Sequence, residues 1–239
     1  MRISRVHVEA ELVVGDSITF DQDRGHYLKH VLRLKPGAAV DLFNGDGNDY
    51  RATLAQVGKQ LIAEVESQTL RNTESKIHTT LLQAIGKADR LDWMIQKTAE
   101  LGVNRIVLFN AEHTQHPLKS AQMGKKLVHW RAVAISACEQ CGRARLPLLE
   151  FSQDLSQAFL EASSELQLIL DLEGTPLSTQ LVQSARSVTL LIGPEGGLRT
   201  AERDRAVAAG FRQVSLGSRI LRFETAATAA LGIVQSADG

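Results

Sequence analysis

The feature that most constrains the fold of this chain is a strand–turn–helix pattern at residues 188–204. The apolar run Val188–Ile192 has the length and composition of a buried strand. It is followed by Gly193–Gly197, a segment of three glycines, one proline and one glutamate in which the chain must turn. Thr200, with Glu202 behind it, is typical of a helix start. This order of elements builds a ligand crevice at the carboxyl end of a parallel sheet.

A second stretch repeats the arrangement after a predicted strand at Phe211–Leu216. Gly217 begins the turn, and the charged residues Arg219, Arg222 and Glu224 follow it. Neither turn matches G-x-G-x-x-G, and the chain has no G-x-x-x-x-G-K-[ST] motif, which argues against a common nucleotide phosphate loop. Two glycine turns beside one crevice predict a small-molecule site with a reaction next to it. Two ordinary strand–helix turns are the alternative interpretation.

From Ile77 onward, short apolar runs alternate with segments of helical periodicity, and this alternation predicts an α/β fold with a parallel sheet covered on both faces. The predicted strands are residues 77–85, 105–109, 166–172, 188–192 and 211–216, and the predicted helices are residues 90–101, 123–138 and 224–235.

Residues 1–70 show a different sequence pattern. Short strand-like runs are separated by the turn residues Asn44–Gly47 and Gly58-Lys59, which predict hairpins. One helix is predicted at Gly25–Leu34, with Tyr27, Leu28, Val31 and Leu32 on its apolar side. These features predict a small β-barrel with a helix. The polar segment 71–76 marks a domain boundary, which gives domains at residues 1–70 and 71–239.

The bulk composition excludes some classes of protein. The chain of 239 residues has no run of 18 apolar residues and no apolar core near its N-terminus, so we expect no transmembrane helix, no signal peptide and a cytoplasmic location. Its formal net charge of zero argues mildly against a nucleic-acid binder. The distribution of basic residues matters more than their sum.

Cys138 and Cys141 form a C-x-x-C pattern, which is typical of a redox pair or of half a zinc site, with His113 and His116 as the other half. There is no second C-x-x-C, and this one closes a predicted helix whereas a redox motif normally opens one. We therefore expect no metal.

Several blocks, in order along nearly the whole chain, resemble one family. They are Arg2-Ile-Ser-Arg5, His30-Val-Leu-Arg33, Leu42-Phe-Asn-Gly45, Ile95-Gln-Lys-Thr-Ala-Glu-Leu-Gly102, Ala137-Cys-Glu-Gln-Cys-Gly-Arg143 and the two glycine turns. The chain resembles the RsmE-type SPOUT methyltransferases, which methylate N3 of a uridine in 16S ribosomal RNA of the small subunit with S-adenosyl-L-methionine. One departure is Arg199, which stands where the family often has a serine and leaves capping of the next helix to Thr200.

The resemblance implies a fold that pattern reasoning alone does not give. Residues 1–70 would be a PUA-like RNA-binding β-barrel, followed by a SPOUT-type parallel sheet with a C-terminal trefoil knot through roughly residues 166–231. General topology rules argue against knots, so this expectation comes from the resemblance. The family also acts as a homodimer. The last helix suits that role because its alanines leave it apolar on more than one side.

The resemblance also implies site residues. The cofactor-binding residues would be Leu170, Leu172, Gly193, Glu195, Gly196, Gly197, Leu216, Gly217, Ile220 and Leu221, where glycines let the backbone approach the ligand. The catalytic residues would be Arg222, Glu224, Glu139 and Arg143. The RNA-binding residues would be Arg2, Arg5, His26, Lys29, His30 and Arg33.

Each of these assignments has a structural alternative. Glu224 would be a partner of a helix N-terminus, Glu139 and Arg143 an exposed ion pair, and the basic residues a solvated polar face. Two other functions also stay open. One is a SPOUT enzyme with a different RNA target, and the other is a ribosome-binding or assembly factor without catalysis.

Overall fold

The computed structural model describes residues 3–115 and 117–238, which form two compact units. The first unit extends to Glu74 and also contains Cys138–Leu146. The second consists of Ser75–Ala137 and the chain from Pro147 onward. No sequence pattern indicated that the short segment at 138–146 packs with the N-terminal residues. The domain boundary between residues 70 and 71 stays a prediction.

The first unit is built on a five-stranded sheet. Its strands are β1 Ser4–His7, β2 Ser17–Thr19, β3 Ala39–Phe43, β4 Asn48–Val57 and β5 Gln60–Leu70. They lie in the order β1-β3-β4-β5-β2, in which β1 and β3 are parallel and the other neighbouring pairs are antiparallel. Both predicted hairpins are present, because Asn44–Gly47 joins β3 to β4 and Gly58-Lys59 joins β4 to β5.

The helix of this unit differs from the prediction. Helix α1 is Gln22–His26, and it continues as a π-helical turn, Tyr27–Val31. The wide turn is closed by the Leu32 N–H, which donates to the Tyr27 carbonyl five residues back, at 3.1 Å. This extra residue per turn rotates Val31 to the surface, where it is 60% exposed, so its predicted place on the apolar side is wrong. The predicted helix end at Leu34 is also wrong, because Arg33 has a left-handed φ of 55°.

The second unit confirms the predicted parallel α/β sheet. Its six strands are β6 His78–Ala84, β7 Arg105–Phe109, β8 Leu148–Ser152, β9 Leu166–Pro176, β10 Ser187–Ile192 and β11 Arg212–Ser215. They lie in the order β11-β9-β10-β6-β7-β8, and every neighbouring pair is parallel. The helices are α2 Ala88–Glu100, α3 Ser120–Cys141, α4 Leu155–Glu161, α5 Thr179–Val182, α6 Thr200–Ala208 and α7 Phe223–Gln235, followed by a 3-10 turn at Ser236–Asp238.

Both faces of this sheet are covered, as the near-continuous apolar strands require. Leu81 belongs to a core shared with helices α2, α3 and α7, and its neighbour Leu82 belongs to a second core shared with α4 and α6. The last helix lies within the first of these cores, where Ala230 is fully buried. The knot implied by the resemblance stays a prediction.

Some predicted boundaries are wrong. Helix α3 extends beyond the predicted range of 123–138, so Glu139 and Gln140 lie in its last turn and not after it. Strand β9 continues past the predicted end at Leu172 to Pro176. The second half of β9 is polar. It therefore lacks the apolar run by which a buried strand is recognised in a sequence.

Candidate functional site

A cavity of about 450 Å³ lies at the carboxyl ends of strands β9, β10 and β11. This is the edge at which α/β proteins bind ligands, and the volume falls in the usual range for small-molecule sites. Every residue predicted to bind a cofactor lines it. These are Leu170, Leu172, Gly193, Glu195, Gly196, Gly197, Leu216, Gly217, Ile220 and Leu221.

The glycines of the two turns are needed for different reasons. Gly197 and Gly217 have φ values of 71° and 97°, a region that favours glycine. At Gly193 a Cβ atom would lie 3.0 Å from the backbone nitrogen of Leu198, so the turn closes tightly on itself. A Cβ at Gly196 would instead point at the Cβ of His113, 3.4 Å away. The lack of a side chain at Gly196 therefore makes room for a neighbouring loop.

The helix after the first turn begins differently from the prediction. Arg199 occupies the N-cap position of α6, so the predicted capping by Thr200 is wrong. The carboxylate of Glu202, which is 1% exposed, accepts hydrogen bonds from the Arg199 N–H at 2.8 Å and from the Glu112 N–H at 3.0 Å. Glu202 thereby ties the start of α6 to the loop after β7.

Glu195 joins two turns at this edge of the sheet. Its Oε1 accepts a hydrogen bond from the backbone N–H of Lys87 at 3.0 Å, which satisfies an amide at the start of α2. The neighbouring Gly86 is in close contact with Phe223, because a Cβ there would lie 2.4 Å from the phenyl ring. Phe223 also lines the cavity. The turns after β6, β10 and β11 are thus packed on one another.

Several lining residues are absent from the predicted cofactor-binding set, although Arg219 was placed beside the crevice and the strand-end loop at 170–174 was considered as part of the pocket. Asp171 and Arg203 form an ion pair of 3.0 Å on the cavity wall, and Arg219 adds a second guanidinium. Asp171 and Arg203 come from different elements, and the sequence does not show which strand ends lie next to each other. The other lining residues outside the predicted set are Glu173, Ile192, Pro194, Leu198, Val214, Phe223 and Ala226.

Two of the predicted catalytic residues flank Phe223. Arg222 is exposed and occupies the N-cap position of α7. Glu224 is buried in the first turn of α7, and its Oε1 lies 3.7 Å from the Nε of Arg90. Its Oε2 is buried without a hydrogen-bond partner among the described residues.

The other two predicted catalytic residues, Glu139 and Arg143, belong to the first unit and do not pair with each other. Glu139 accepts hydrogen bonds from the backbone N–H of His7 at 2.9 Å and from the guanidinium of Arg24. The guanidinium of Arg143, whose side chain is 4% exposed, makes a two-pronged ion pair with Glu74, at 2.9 and 2.6 Å. The alternative of an exposed ion pair between Glu139 and Arg143 is therefore wrong. Glu139 attaches the last turn of α3 to strand β1, and Arg143 attaches the chain just after α3 to the segment that follows β5.

Arg143 is held in its charged form by this pairing. Burial acts to lower its pKa, but the hydrogen bond and the charge of Glu74 outweigh burial and raise the pKa above its ordinary value.

Arg5 is part of the same attachment. Its guanidinium donates to the Cys138 carbonyl at 2.7 Å and to the Asp49 carboxylate at 2.5 Å, and its side chain is 6% exposed. This burial argues against the predicted contact of Arg5 with RNA. Such long-range pairs carry no signal in the sequence.

The two cysteines are free thiols at the end of α3. Hydrogen bonding to Cys141 and burial raise the pKa of the Cys138 thiol. The same hydrogen bond lowers the pKa of Cys141 to about 6. Among residues 3–115 and 117–238 no group of three potential metal ligands occurs, and His116 lies outside the described residues.

Four other predicted RNA-binding residues lie in the π-helical turn or next to it. The rings of His26 and His30 lie side by side with centroids 4.3 Å apart, and both are exposed. Nζ of Lys29 donates a hydrogen bond to Oε1 of Gln56 in β4 at 3.4 Å, and Arg33 is exposed beyond the turn. Arg2 lies outside the described residues.

Comparison with known proteins decides the family. A model of the RNA methyltransferase domain matches residues 73–235, and a model of the RNA methyltransferase PUA domain matches residues 20–66. Ribosomal RNA small subunit methyltransferase E from Buchnera aphidicola subsp. Schizaphis graminum is 30% identical over 98% of this chain and 96% of its own length. This chain belongs to the ribosomal RNA small subunit methyltransferase E family. The family predicted from the sequence blocks is confirmed.

Solved structures agree with this membership. A protein from Legionella pneumophila, solved with the bound cofactor SAM, is 36% identical with a TM-score of 0.93 and covers 99% of this chain and 98% of its own. A member of the methyltransferase E family from Neisseria gonorrhoeae, bound to S-adenosyl methionine, is 32% identical with a TM-score of 0.89 and covers 98% of both chains. The parallel sheet and the N-terminal PUA domain match these neighbours. Within the part of the chain that the structure describes, no helix is long and apolar enough to cross a membrane.

Proposed function

We propose that this chain transfers a methyl group from S-adenosyl-L-methionine to N3 of a uridine in 16S ribosomal RNA of the small subunit. One observation carries the proposal: every residue assigned to the cofactor from the sequence lines a single cavity at the carboxyl edge of the sheet. The family membership and the two cofactor-bound neighbours support the same ligand. The activity would take place in the cytoplasm, where ribosomes are found.

The residues of the cavity fit the cofactor. The two glycine turns line the cavity, where their backbone groups would hydrogen-bond the base and ribose of a nucleoside, and Leu170, Leu216 and Leu221 supply apolar contact area. When bound, the cofactor supplies an activated methyl group and leaves as a neutral thioether. The protein therefore has to hold the two reactants in line, and this positioning supplies much of the acceleration.

The acceptor nitrogen carries a weakly acidic proton, which the protein must help to remove. Arg222 is exposed at the start of α7 beside the cavity residue Phe223, where its charge would stabilise the uracil anion. Glu224 Oε2 is buried without a partner in the described chain, a costly arrangement unless a ligand supplies a hydrogen. We assign Glu224 the role of proton acceptor. Glu139 and Arg143 are given no part, because both are engaged within the first unit.

Paired substitutions test these roles. Glu224→Gln should keep cofactor affinity and lower kcat by about 100-fold or more, the usual scale of general-base catalysis. Arg222→Gln should lower kcat and also weaken RNA binding, whereas Arg222→Lys should restore part of both. A Glu224→Gln enzyme with unchanged kcat would remove Glu224 from the chemistry.

The RNA would bind to the first unit. His26, Lys29, His30 and Arg33 form a basic surface at the π-helical turn, which we name the basic turn. Reversing the charge at Arg33 should weaken RNA binding and reduce its salt dependence by about one counterion. Arg186→Glu, at an exposed position of the second unit, is the matched control. Equal effects of the two variants would mean that the basic turn is not the contact.

The protein would act as a homodimer through α7. Ala230 is fully buried within its own unit, so it is not available to a partner as the sequence suggested. The less buried positions Thr225, Ala229 and Ile233 remain on the helix. Ile233→Glu should therefore lower both the dimer fraction in sedimentation and methyl transfer, whereas Ala230→Glu should unfold the protein. A fully active wild-type monomer would contradict the dimer.

Two experiments separate the rival functions. Calorimetry with S-adenosyl-L-methionine at millimolar concentration should show binding, and its absence would favour a ribosome-binding factor without catalysis. Mass spectrometry of 16S ribosomal RNA from a deletion strain should show the loss of one 3-methyluridine. Loss of a different modified nucleotide would favour a SPOUT enzyme with another target.

A further inference from the structure

Strand β9 forms one wall of the cavity, and its pairing with the neighbouring strands is interrupted there. Strand β11 pairs with β9 at Gln213↔Ile169 and resumes at Val214↔Thr175, and the pairing of β10 with β9 ends at Leu191↔Ile169. Residues 170–174 therefore bulge out between two paired segments, and we call them the β9 bulge. Its first four residues line the cavity. A pocket wall without a regular ladder needs other contacts to hold its shape.

Asp171 organises this bulge from within. Its side chain is 6% exposed, and its Oδ1 accepts a hydrogen bond from the backbone N–H of Glu173 at 3.0 Å. At the end of the bulge, Gly174 lies against β11, where a Cβ would come within 2.5 Å of the Val214 nitrogen. The bulge is thus anchored at its far end by close backbone packing and in its middle by Asp171.

The second oxygen of Asp171 reaches out of the bulge to helix α6. Oδ2 accepts a hydrogen bond from Nη1 of Arg203 at 3.0 Å, and Nη2 of Arg203 lies 3.3 Å from the hydroxyl of Thr200. Arg203 lines the same cavity as the bulge. Since α6 follows the first glycine turn, this ion pair connects two parts of the pocket wall, the β9 bulge and the start of α6. A charge-assisted bond to a nearly buried carboxylate is stronger than an exposed pair.

We propose that the Asp171–Arg203 ion pair is a positioning device that fixes the β9 bulge against α6 and so sets the shape of the cofactor pocket. The inference rests on the proposed function, because it takes the cavity to be the cofactor site. The pair acts through the backbone of the bulge, and neither residue is assigned to the transfer itself. Without the pair, the β9 bulge would become ordered only when the cofactor binds. The free energy spent on that ordering would lower the affinity of the protein for the cofactor.

The test uses the full-length protein and calorimetric titration with S-adenosyl-L-methionine. Arg203→Met and Asp171→Asn should each raise the dissociation constant about tenfold. The double variant should be no worse than either single variant, because both changes remove the same interaction. Arg203→Lys, which keeps a cation, should recover part of the loss. Kinetically, KM for the cofactor should rise, whereas kcat at saturating cofactor and the affinity for RNA should stay within about twofold of wild type.

Arg205→Met is the matched control, because Arg205 lies on the same helix but pairs with the exposed Glu112 and does not line the cavity. It should bind the cofactor normally. Thermal melting shows whether a variant is folded at the temperature of the titration. Additive losses in the double variant, or a normal dissociation constant in folded Arg203→Met, would overturn the inference. A wild-type protein that binds no cofactor would instead overturn the proposed function.

Discussion

Substitution of Gly86 by alanine tests whether the turns at the carboxyl edge of the sheet are packed as tightly as described. The new Cβ would lie 2.4 Å from Cε1 and 2.8 Å from Cζ of Phe223, and 3.1 Å from Oε2 of Glu195. Optimal carbon–carbon separations are about 3.5–4.0 Å, so the ring must move by about 1 Å. Phe223 is 3% exposed and packs in the core, which leaves the ring little free space.

The expected cost follows from that overlap. Overpacking of a well-packed core costs about 1–3 kcal/mol. For a chain of this length, about 2 kcal/mol corresponds to a fall in Tm of about 4–8 °C. Because both displaced side chains line the cavity, the dissociation constant for S-adenosyl-L-methionine should also rise, by about tenfold. Differential scanning calorimetry and isothermal titration measure the two effects.

Gly124→Ala is the matched control. Gly124 lies within α3, and a Cβ there would meet no atom within 4 Å. Alanine in a helix is favoured over glycine by about 0.5–1 kcal/mol, so this variant should melt about 1–4 °C higher and bind the cofactor normally. The two alanine substitutions should thus shift Tm in opposite directions. A Gly86→Ala protein with wild-type Tm and affinity would refute the packing argument.

Two further predictions concern the first unit. Arg143→Gln leaves Glu74 without its partner and should lower the free energy of unfolding by about 3 kcal/mol, measured by urea titration; a loss below about 1 kcal/mol would contradict the structural role given to Arg143. Burial and the hydrogen bond to Asp46 raise the pKa of Tyr50 from 10.0 to about 12. Because the folded state favours the neutral phenol, this stabilisation is complete below pH 10 and is lost as the pH rises through 12. In Tyr50→Phe, the free energy of unfolding should therefore fall less between pH 10 and 12 than in the wild-type protein. An unchanged dependence of the unfolding free energy on pH would contradict the assignment.

The sequence by itself determined the parallel sheet and the place of the cavity. Both depend on properties that are local in the chain. A strand buried on both faces needs a continuous apolar run such as Val188–Ile192, and a tight turn after it needs glycines. The carboxyl ends of parallel strands lie at the same edge of a sheet. The turns after β10 and β11 could therefore be predicted to share one crevice before the distance between the two turns was known.

Only the tertiary structure decided which partners the charged residues contact. Glu139 contacts the backbone of His7, 132 positions away, and Arg143 contacts Glu74, 69 positions away. A carboxylate or guanidinium is compatible with catalysis, RNA binding or a buried ion pair, and its partner is chosen by the approach of distant segments. The same reason hid the Asp171–Arg203 pair. Local conformation is specified by neighbours in the chain, whereas the role of a charge is specified by neighbours in space.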